Sequence, residues 1–205
     1  MLPPQAFARY DPSPDELFYQ SPRLVTHIDD AAIGAVTQLY REQFPTGDAI
    51  LDLMSSWVSH LPPEIEYHRV VGVGMNEAEL RANLHLSKYF VQNLNGQARL
   101  DFSDGEFDGC GICVSIQYLT RPVEVLREVA RVLKADAPLV VTFSNRCFPT
   151  KAVAAWQALD ERGHGELVSH YLREAGGWSD TEILDRSPSR HSDPLWAVVA
   201  KRAPS

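Results

Sequence analysis

Three groups of residues have the types and spacing to do chemistry. The first is an acid near the end of an apolar run. Ala49 to Leu53 reads as a buried strand carrying Asp52, and Met54-Ser55-Ser56-Trp57-Val58 follows it. In nucleotide-binding α/β proteins a glycine-rich turn stands here, because glycine lets backbone approach a ligand with no Cβ in the way. This turn holds no glycine. Ser55 and Ser56 can hydrogen-bond a ligand carboxylate together with backbone N–H groups at a helix start; a plain strand-to-helix turn fits the same letters. The second group is Cys110 and Cys113 in C-G-I-C, with Cys147 alone. A metal or redox site would need partner ligands at zinc spacing, and none stands nearby. Buried, reduced, metal-free cysteines are therefore expected. The third group follows later strands: Gln117-Tyr118, then Ser144-Asn145-Arg146-Cys147-Phe148, then His164, His170 and Tyr171 on helices that could form a lid. Arg146 suits an acidic ligand or is a plain surface arginine. A histidine or Tyr171 suits a general base or is a solvated helix residue.

These residues need elements to position them. Asp29 or Asp30 can cap a helix with Ile33, Val36 and Leu39 on its apolar face. Pro45 to Asp48 is a turn. After the strand 49–53, Pro62-Pro63 breaks the chain. Strands are expected at 68–75, 88–95, 109–119 and 137–145. Helices are expected at 76–87, opening on Asn76, and at 121–134, with Val125, Val129, Val132 and Leu133 on one face. Two more helices, 151–163 and 165–177, precede two closing strands joined by the polar run Ser187 to Asp193. The strands are continuously apolar. That predicts a doubly wound, mostly parallel seven-stranded sheet covered on both faces and finished by an antiparallel hairpin, with ligand beyond the strands' C-terminal ends. Residues 1–44 read as an arm and helix packing on a core of 45–205, within one domain.

Composition narrows the function classes. The chain has 205 residues, 44% hydrophobic and 22% charged, as ordinary globular proteins do. A net charge of −8 argues against non-specific nucleic-acid binding, which needs a basic face. Met1-Leu2-Pro3-Pro4 lacks the regions of a signal peptide, and no apolar stretch is of membrane-spanning length. A cytoplasmic protein with a small-molecule partner, no nucleic-acid or membrane partner and an undetermined oligomeric state is expected.

The order of elements and several local words resemble a family. Leu100-Asp101-Phe102, Asp104-Gly105-Glu106-Phe107-Asp108 and the run Glu128 to Ala137 (EVARVLKADA) are similar to the words that flank the fourth strand and precede the fifth in class I S-adenosylmethionine-dependent methyltransferases of type 11. The resemblance spans about residues 45 to 202. It implies a Rossmann-like methyltransferase fold, S-adenosylmethionine as cofactor, and methyl transfer to a small molecule. The alternative is a non-catalytic member serving as a binding or regulatory module. A nicotinamide oxidoreductase is disfavoured by the lack of G-x-G-x-x-G.

The resemblance also implies site residues. Asp52 keeps the family's first-motif acid and is expected to orient the loop and meet the methionine amine, with Ser55 and Ser56 in place of the glycines. The family grips the ribose with an acid at the end of strand two. Gly74 stands there, so Met75, Asn76 and Glu77 are the neighbours to examine, and a carboxylate introduced by Gly74→Asp is expected to raise affinity. Asn93 and Leu94 stand near the family's adenine contact, and Ser115 follows strand four. In the segment ahead of the core, Arg23 is expected to pair with the methionine carboxylate and Tyr19 to close the pocket. The acceptor side is assigned to His170, Tyr171 and Arg146.

Overall fold

The computed structural model describes residues 2–179 and 181–204. A single 3-10 turn (Pro4–Phe7) leads to a short helix α1 (Asp15–Phe18) and then α2 (Asp30–Gln43). There follow β1 (Ala49–Ser55), β2 (Arg69–Gly74), α3 (Glu77–Ala82), β3 (Lys88–Val91), β4 (Gly109–Cys113), α4 (Pro122–Val132), β5 (Pro138–Phe143), α5 (Ala154–Gln157), α6 (Glu161–Ala175), β6 (Glu182–Asp185) and β7 (Trp196–Lys201). The sheet order is β3-β2-β1-β4-β5-β7-β6. β1 to β5 are parallel, and β7 runs antiparallel to both β5 and β6. The expected parallel sheet with a closing hairpin is the observed one.

The strands are apolar throughout because both faces are covered. Leu51, Leu53, Val71, Val73, Cys110 and Ile112 belong to one core, against α4 and α6. Ile50, Val70, Val140 and Ala197 belong to the other, against Ala32, Val36, Leu39 and Tyr40 of α2. The glycines of β4 make room for α2. A Cβ at Gly111 would lie 2.8 Å from the Tyr40 hydroxyl, and one at Gly109 2.8 Å from the Phe44 ring. Asp29 is the cap of α2, its Oδ1 accepting the Ala32 N–H at 2.8 Å.

Several expected boundaries move. β1 runs two residues further, to Ser55, across a bulge. No helix follows it: residues 56–68 contain none, so Ser55 and Ser56 stand at no helix start. His60 adopts φ 54°, and Pro62 and Pro63 lack the N–H that a helix interior needs. The face that such a helix would cover is taken by α2, which comes before β1 in the chain. β4 stops at Cys113 rather than continuing to 119, because Val114 turns to φ 42° and a 3-10 turn, Ile116–Tyr118, follows. The helix expected at 151–163 is only the four residues of α5. Asp160 then caps α6 through the Gly163 N–H, so Glu161 to Gly163 open the next helix instead. Among the described residues no helix is long and apolar enough to cross a membrane.

Candidate functional site

A cavity of about 310 Å³ lies across the C-terminal ends of the five parallel strands. Its wall takes Met54, Ser55 and Ser56 from the end of β1 and just beyond, Gly74, Met75 and Asn76 from the end of β2 and just beyond, Asn93 and Leu94 from after β3, Cys113 and Ser115 from the end of β4 and just beyond, and Arg146 and Phe148 from the loop after β5. Asp15, Tyr19, Arg23 and His27 of the N-terminal arm line it as well. The structure thus brings together every residue that the sequence placed at the cofactor except Asp52.

Asp52 is the first correction. It is on the lining of no part of this cavity, and its side chain is 7% exposed. Strand alternation puts Leu51 and Leu53 in the α4 core and leaves Asp52 on the α2 side with Ile50. One carboxylate oxygen accepts both the Ser55 and the Ser59 hydroxyl, each at 2.6 Å. Asn83 extends the network, donating to Ser59 Oγ at 2.8 Å and to the Ser56 carbonyl at 2.9 Å. Burial pushes the Asp52 carboxyl up to about 6, against the lowering effect of the two serines. The acid therefore fixes the loop that forms the wall and does not face the ligand space.

The end of β2 is the second. Met54 has φ 59°, and the bulge it makes brings Ser55 opposite Gly74. A Cβ built on Gly74 would lie 2.2 Å from the Ser55 carbonyl oxygen. No side chain fits there, so Gly74→Asp cannot deliver a carboxylate to the cavity as expected. Asn76 caps α3 through the Glu79 N–H, and its amide donates to the Tyr19 and Gln20 carbonyls at 2.9 and 3.1 Å. Its polar capacity is spent on the arm. Glu77 is exposed and pairs with Arg81.

The same stitching repeats along the arm. Asn93 Nδ2 donates to Glu16 Oε1 at 2.8 Å, while its Oδ1 accepts the Asn95 N–H. Asn95 Nδ2 donates to Asp15 Oδ2 at 2.8 Å, and Arg9 donates to Asp15 Oδ1 at 2.6 Å. Lys151, fully buried, reaches the Ser13 carbonyl at 2.7 Å and pairs with Asp11 at 3.1 Å. The Arg23 guanidinium sits over Phe18, 4.6 Å from the ring centroid, and 5.3 Å from that of Phe148. Its Nη2 donates to the Phe18 carbonyl, while Nη1 is buried without a partner. Burial raises the Tyr19 phenol well above its usual range.

On the β4 and β5 side, Ser115 Oγ is also buried and unpartnered. The Tyr118 hydroxyl accepts the Phe148 N–H at 2.8 Å, and burial pushes that phenol up to about 12. His27 packs edge-on to Phe148 with ring centroids 5.2 Å apart, and burial lowers its pKa. Arg146 lines the cavity, but its Nε is paired with Asp193 at 2.8 Å. His170 and Tyr171 are a third correction. They belong to α6, which packs on α4 and β7, and neither lines the cavity. Tyr171 is a core residue 2% exposed, against Phe7. His164 is stacked on Trp156 at 3.8 Å and bonded to its carbonyl.

Cys110 is buried and Cys113 lines the cavity; both are free, and burial pushes the Cys113 thiol up to about 12. Among the described residues no group of three or more His, Cys, Asp or Glu side chains could hold a metal. Two lining acids went unnoticed in the sequence. Asp15 lies in a proline-rich arm with no periodicity. Glu79 stands three residues after the N-cap Asn76, where an acid reads as half of a capping box. Instead its oxygens accept the Arg23 backbone N–H and the Ser56 hydroxyl, each at 2.7 Å.

Residues 54–141 match the family model for a methyltransferase domain. No curated protein matches the chain by sequence. Among solved structures, the fold is similar to that of the [4+2]-cyclase SpnF, with TM-score 0.65, 15% identity, and coverage of 93% of this chain and 91% of that one. It is similar to an S-adenosylmethionine-dependent methyltransferase from Aquifex aeolicus, with TM-score 0.60, 15% identity and 92% and 97% coverage. A third likeness is to one from Mesorhizobium loti, with TM-score 0.57, 15% identity and 82% and 98% coverage.

Proposed function

We propose that this chain is a class I S-adenosylmethionine-dependent methyltransferase that holds its methyl donor in this cavity and serves a small-molecule acceptor. The donor set fits the group. The unpartnered Arg23 Nη1 is a cation for the amino-acid carboxylate, and Ser115 Oγ is an unpartnered hydroxyl of a residue in the same wall. Met54, Val73, Leu94 and Leu119 give an apolar bed for a nucleobase. S-adenosylmethionine supplies an electrophilic methyl group on a sulfonium, so the protein's part is position and electrostatics.

The acceptor is a small molecule. The observation that supports this reading is the arm. It is tied to the strand ends through Asn76, Asn93 and Asn95, so that Asp15, Tyr19, Arg23 and His27 form part of the cavity wall. The acceptor's place is the β5 side, between Phe148, Tyr118 and His27. His27, neutral at pH 7 because burial lowers its pKa, can take a proton from an acceptor that must lose one.

Calorimetric titration with S-adenosylhomocysteine tests the donor site; saturable binding is expected, and no binding at millimolar ligand overturns it. Incubation with methyl-labelled donor and a cell extract, separated by size, tests the acceptor. Label in the small-molecule fraction is expected, and label only in protein or nucleic acid overturns the small-molecule reading.

A further inference from the structure

Asp15, Glu79, Arg23 and Arg146 are the acids and arginines of the cavity wall, and three of them are spent. Asp15 accepts from Arg9 and Asn95. Glu79 accepts the Arg23 backbone N–H and the Ser56 hydroxyl. The Arg23 guanidinium lies over Phe18 and is assigned above to the donor's carboxylate. Arg146 is the fourth, and it stands on the β5 side, where the acceptor is placed.

Arg146 is held through one atom. Its Nε donates to Asp193 Oδ1 at 2.8 Å. Asp193 is itself fixed: its Oδ2 accepts the Asp29 N–H at 3.0 Å, and its own N–H donates to Asp29 Oδ2 at 2.7 Å. Asp29 Oδ1 takes the Ala32 N–H. Each oxygen of the two acids thus has a donor, and no described residue accepts from Arg146 Nη1 or Nη2. An arginine clamped at Nε presents its two terminal amino groups as a planar fork, which matches a carboxylate bidentately. The side chain is 62% exposed, so the fork stands at the rim of the cavity, open to an incoming molecule. With a sulfonium bound inside, a cationic acceptor meets like charge there and an anionic one does not.

We infer that Arg146 receives a carboxylate of the methyl acceptor and so selects acidic small molecules. This rests on the reading of the cavity as a methyl-donor site with the acceptor on the β5 side. The carboxylate is the handle, and the methyl group goes to a second, nucleophilic atom of the same molecule. That atom's electron pair forms the new bond to carbon, the carbon–sulfur bond breaks, and the sulfonium leaves as a neutral thioether. A proton displaced from the acceptor passes to His27 or to water. The product keeps its carboxylate.

The small molecules of a cell extract are split at pH 7 on an anion exchanger, and each fraction is incubated with the protein and methyl-labelled donor. Label should form from the retained fraction, in a product that is itself retained. Label from the unretained fraction alone overturns the inference, as does an unretained product, the mark of a methyl ester. Phosphatase treatment of the retained fraction should leave labelling intact; its loss makes the anion a phosphate and overturns the carboxylate. Arg146→Gln should raise KM for the retained acceptor tenfold or more, with S-adenosylhomocysteine affinity within twofold of the wild type. An unchanged KM, or an equal loss of S-adenosylhomocysteine affinity, overturns the inference. Should that variant fail to fold, Arg146→Lys, which keeps the charge and loses the fork, decides: a raised KM sustains the inference and a wild-type KM overturns it. A protein that binds S-adenosylhomocysteine but labels neither fraction overturns the methyl-transfer reading itself, a distinct result.

Discussion

β1 and β4 lie side by side in the middle of the sheet, and they end in the same way. Each reaches the cavity through an apolar residue with positive φ and then a serine: Met54 (φ 59°) and Ser55, the last two residues of β1, and Val114 (φ 42°) and Ser115, just after β4. The two serines have opposite fates. Ser55 Oγ is bound to Asp52, whereas Ser115 Oγ is buried with no partner. The β1 end is a finished piece of scaffold, with Asp52, Ser59 and Asn83 locking it. The β4 end has hydrogen-bonding capacity left over for a ligand. A glycine-free motif can therefore keep the backbone shape that glycine usually supplies while dividing structural and binding duties between two strands.

The largest expected effect probes the β1 scaffold. In Gly74→Ala the new Cβ meets backbone, the Ser55 carbonyl at 2.2 Å, and Leu80 at 3.0 Å. Neither bulge nor strand can yield without losing the Asp52 network, so a loss of about 3 kcal/mol or more is expected in denaturant unfolding. Gly34, inside α2 with nothing within 4 Å of its Cβ position, is the control. There Gly→Ala should stabilise by about 0.5–1 kcal/mol. A Gly74→Ala protein as stable as the wild type breaks the description of this end as rigid.

The second concerns pH. The Asp52 carboxyl is raised from 3.8 to about 6 by burial, so the folded state binds its proton more tightly than the unfolded one. This contribution favours folding below about pH 4 and is lost as pH rises through about 6. The shift corresponds to about 3 kcal/mol. Asp52→Asn, whose carbonyl can still accept from the serines, should remove that slope and be more stable than the wild type at pH 7. Parallel pH profiles of stability for the two proteins would refute it.

How much of this was legible follows from the same residues. The apolar runs gave the parallel sheet, and the cap Asp29 and the amphipathic α4 needed only local rules. Asp52 was legible in type and place but not in direction; its facing depended on strand alternation and on α2 covering that side. The missing helix after β1 was hidden because the face it would have covered is filled by a segment from earlier in the chain. The end of β4 was hidden because Val114, Ile116 and Leu119 continue the apolar letters past a turn made by φ alone. Tyr19 and Arg23 did reach the cavity. Glu79 escaped because its local helix-start context accounts for an acid without any ligand.

The third prediction is the direct contrast of the two serines. Ser55→Ala removes a donor to a buried carboxylate and should cost about 1–2 kcal/mol of stability, with little change in S-adenosylhomocysteine affinity. Ser115→Ala removes an unpartnered buried hydroxyl, so stability should hold or rise slightly while affinity falls about five- to tenfold, a loss of about 1 kcal/mol or a little more. Reversed outcomes would mean that the ligand rests on the β1 loop after all.

The smallest effect tests the shared backbone figure. A β-branched residue at positive φ is strained by about 1–2 kcal/mol. Val114 is held there from both sides: its N–H donates to the Thr142 carbonyl, and its carbonyl accepts from Gln117 Nε2, both at 2.9 Å. Val114→Gly keeps both bonds and removes the Cβ that opposes the conformation. The gain is offset by the greater freedom of glycine in the unfolded chain, about 0.5–1 kcal/mol, and by the loss of a half-buried side chain. The net change should stay within about 1 kcal/mol of zero. Val141, fully buried in β5 opposite Ile112, has no such strain to release. Val141→Gly should cost about 3 kcal/mol or more through its cavity and lost burial. If the two variants lose equal stability, Val114 carries no strain, and the likeness between the ends of β1 and β4 is one of shape without energetic consequence. If Val114→Gly is nearly neutral yet weakens S-adenosylhomocysteine binding, the valine was kept for the wall it gives the cavity, and the strain is the cost of that placement.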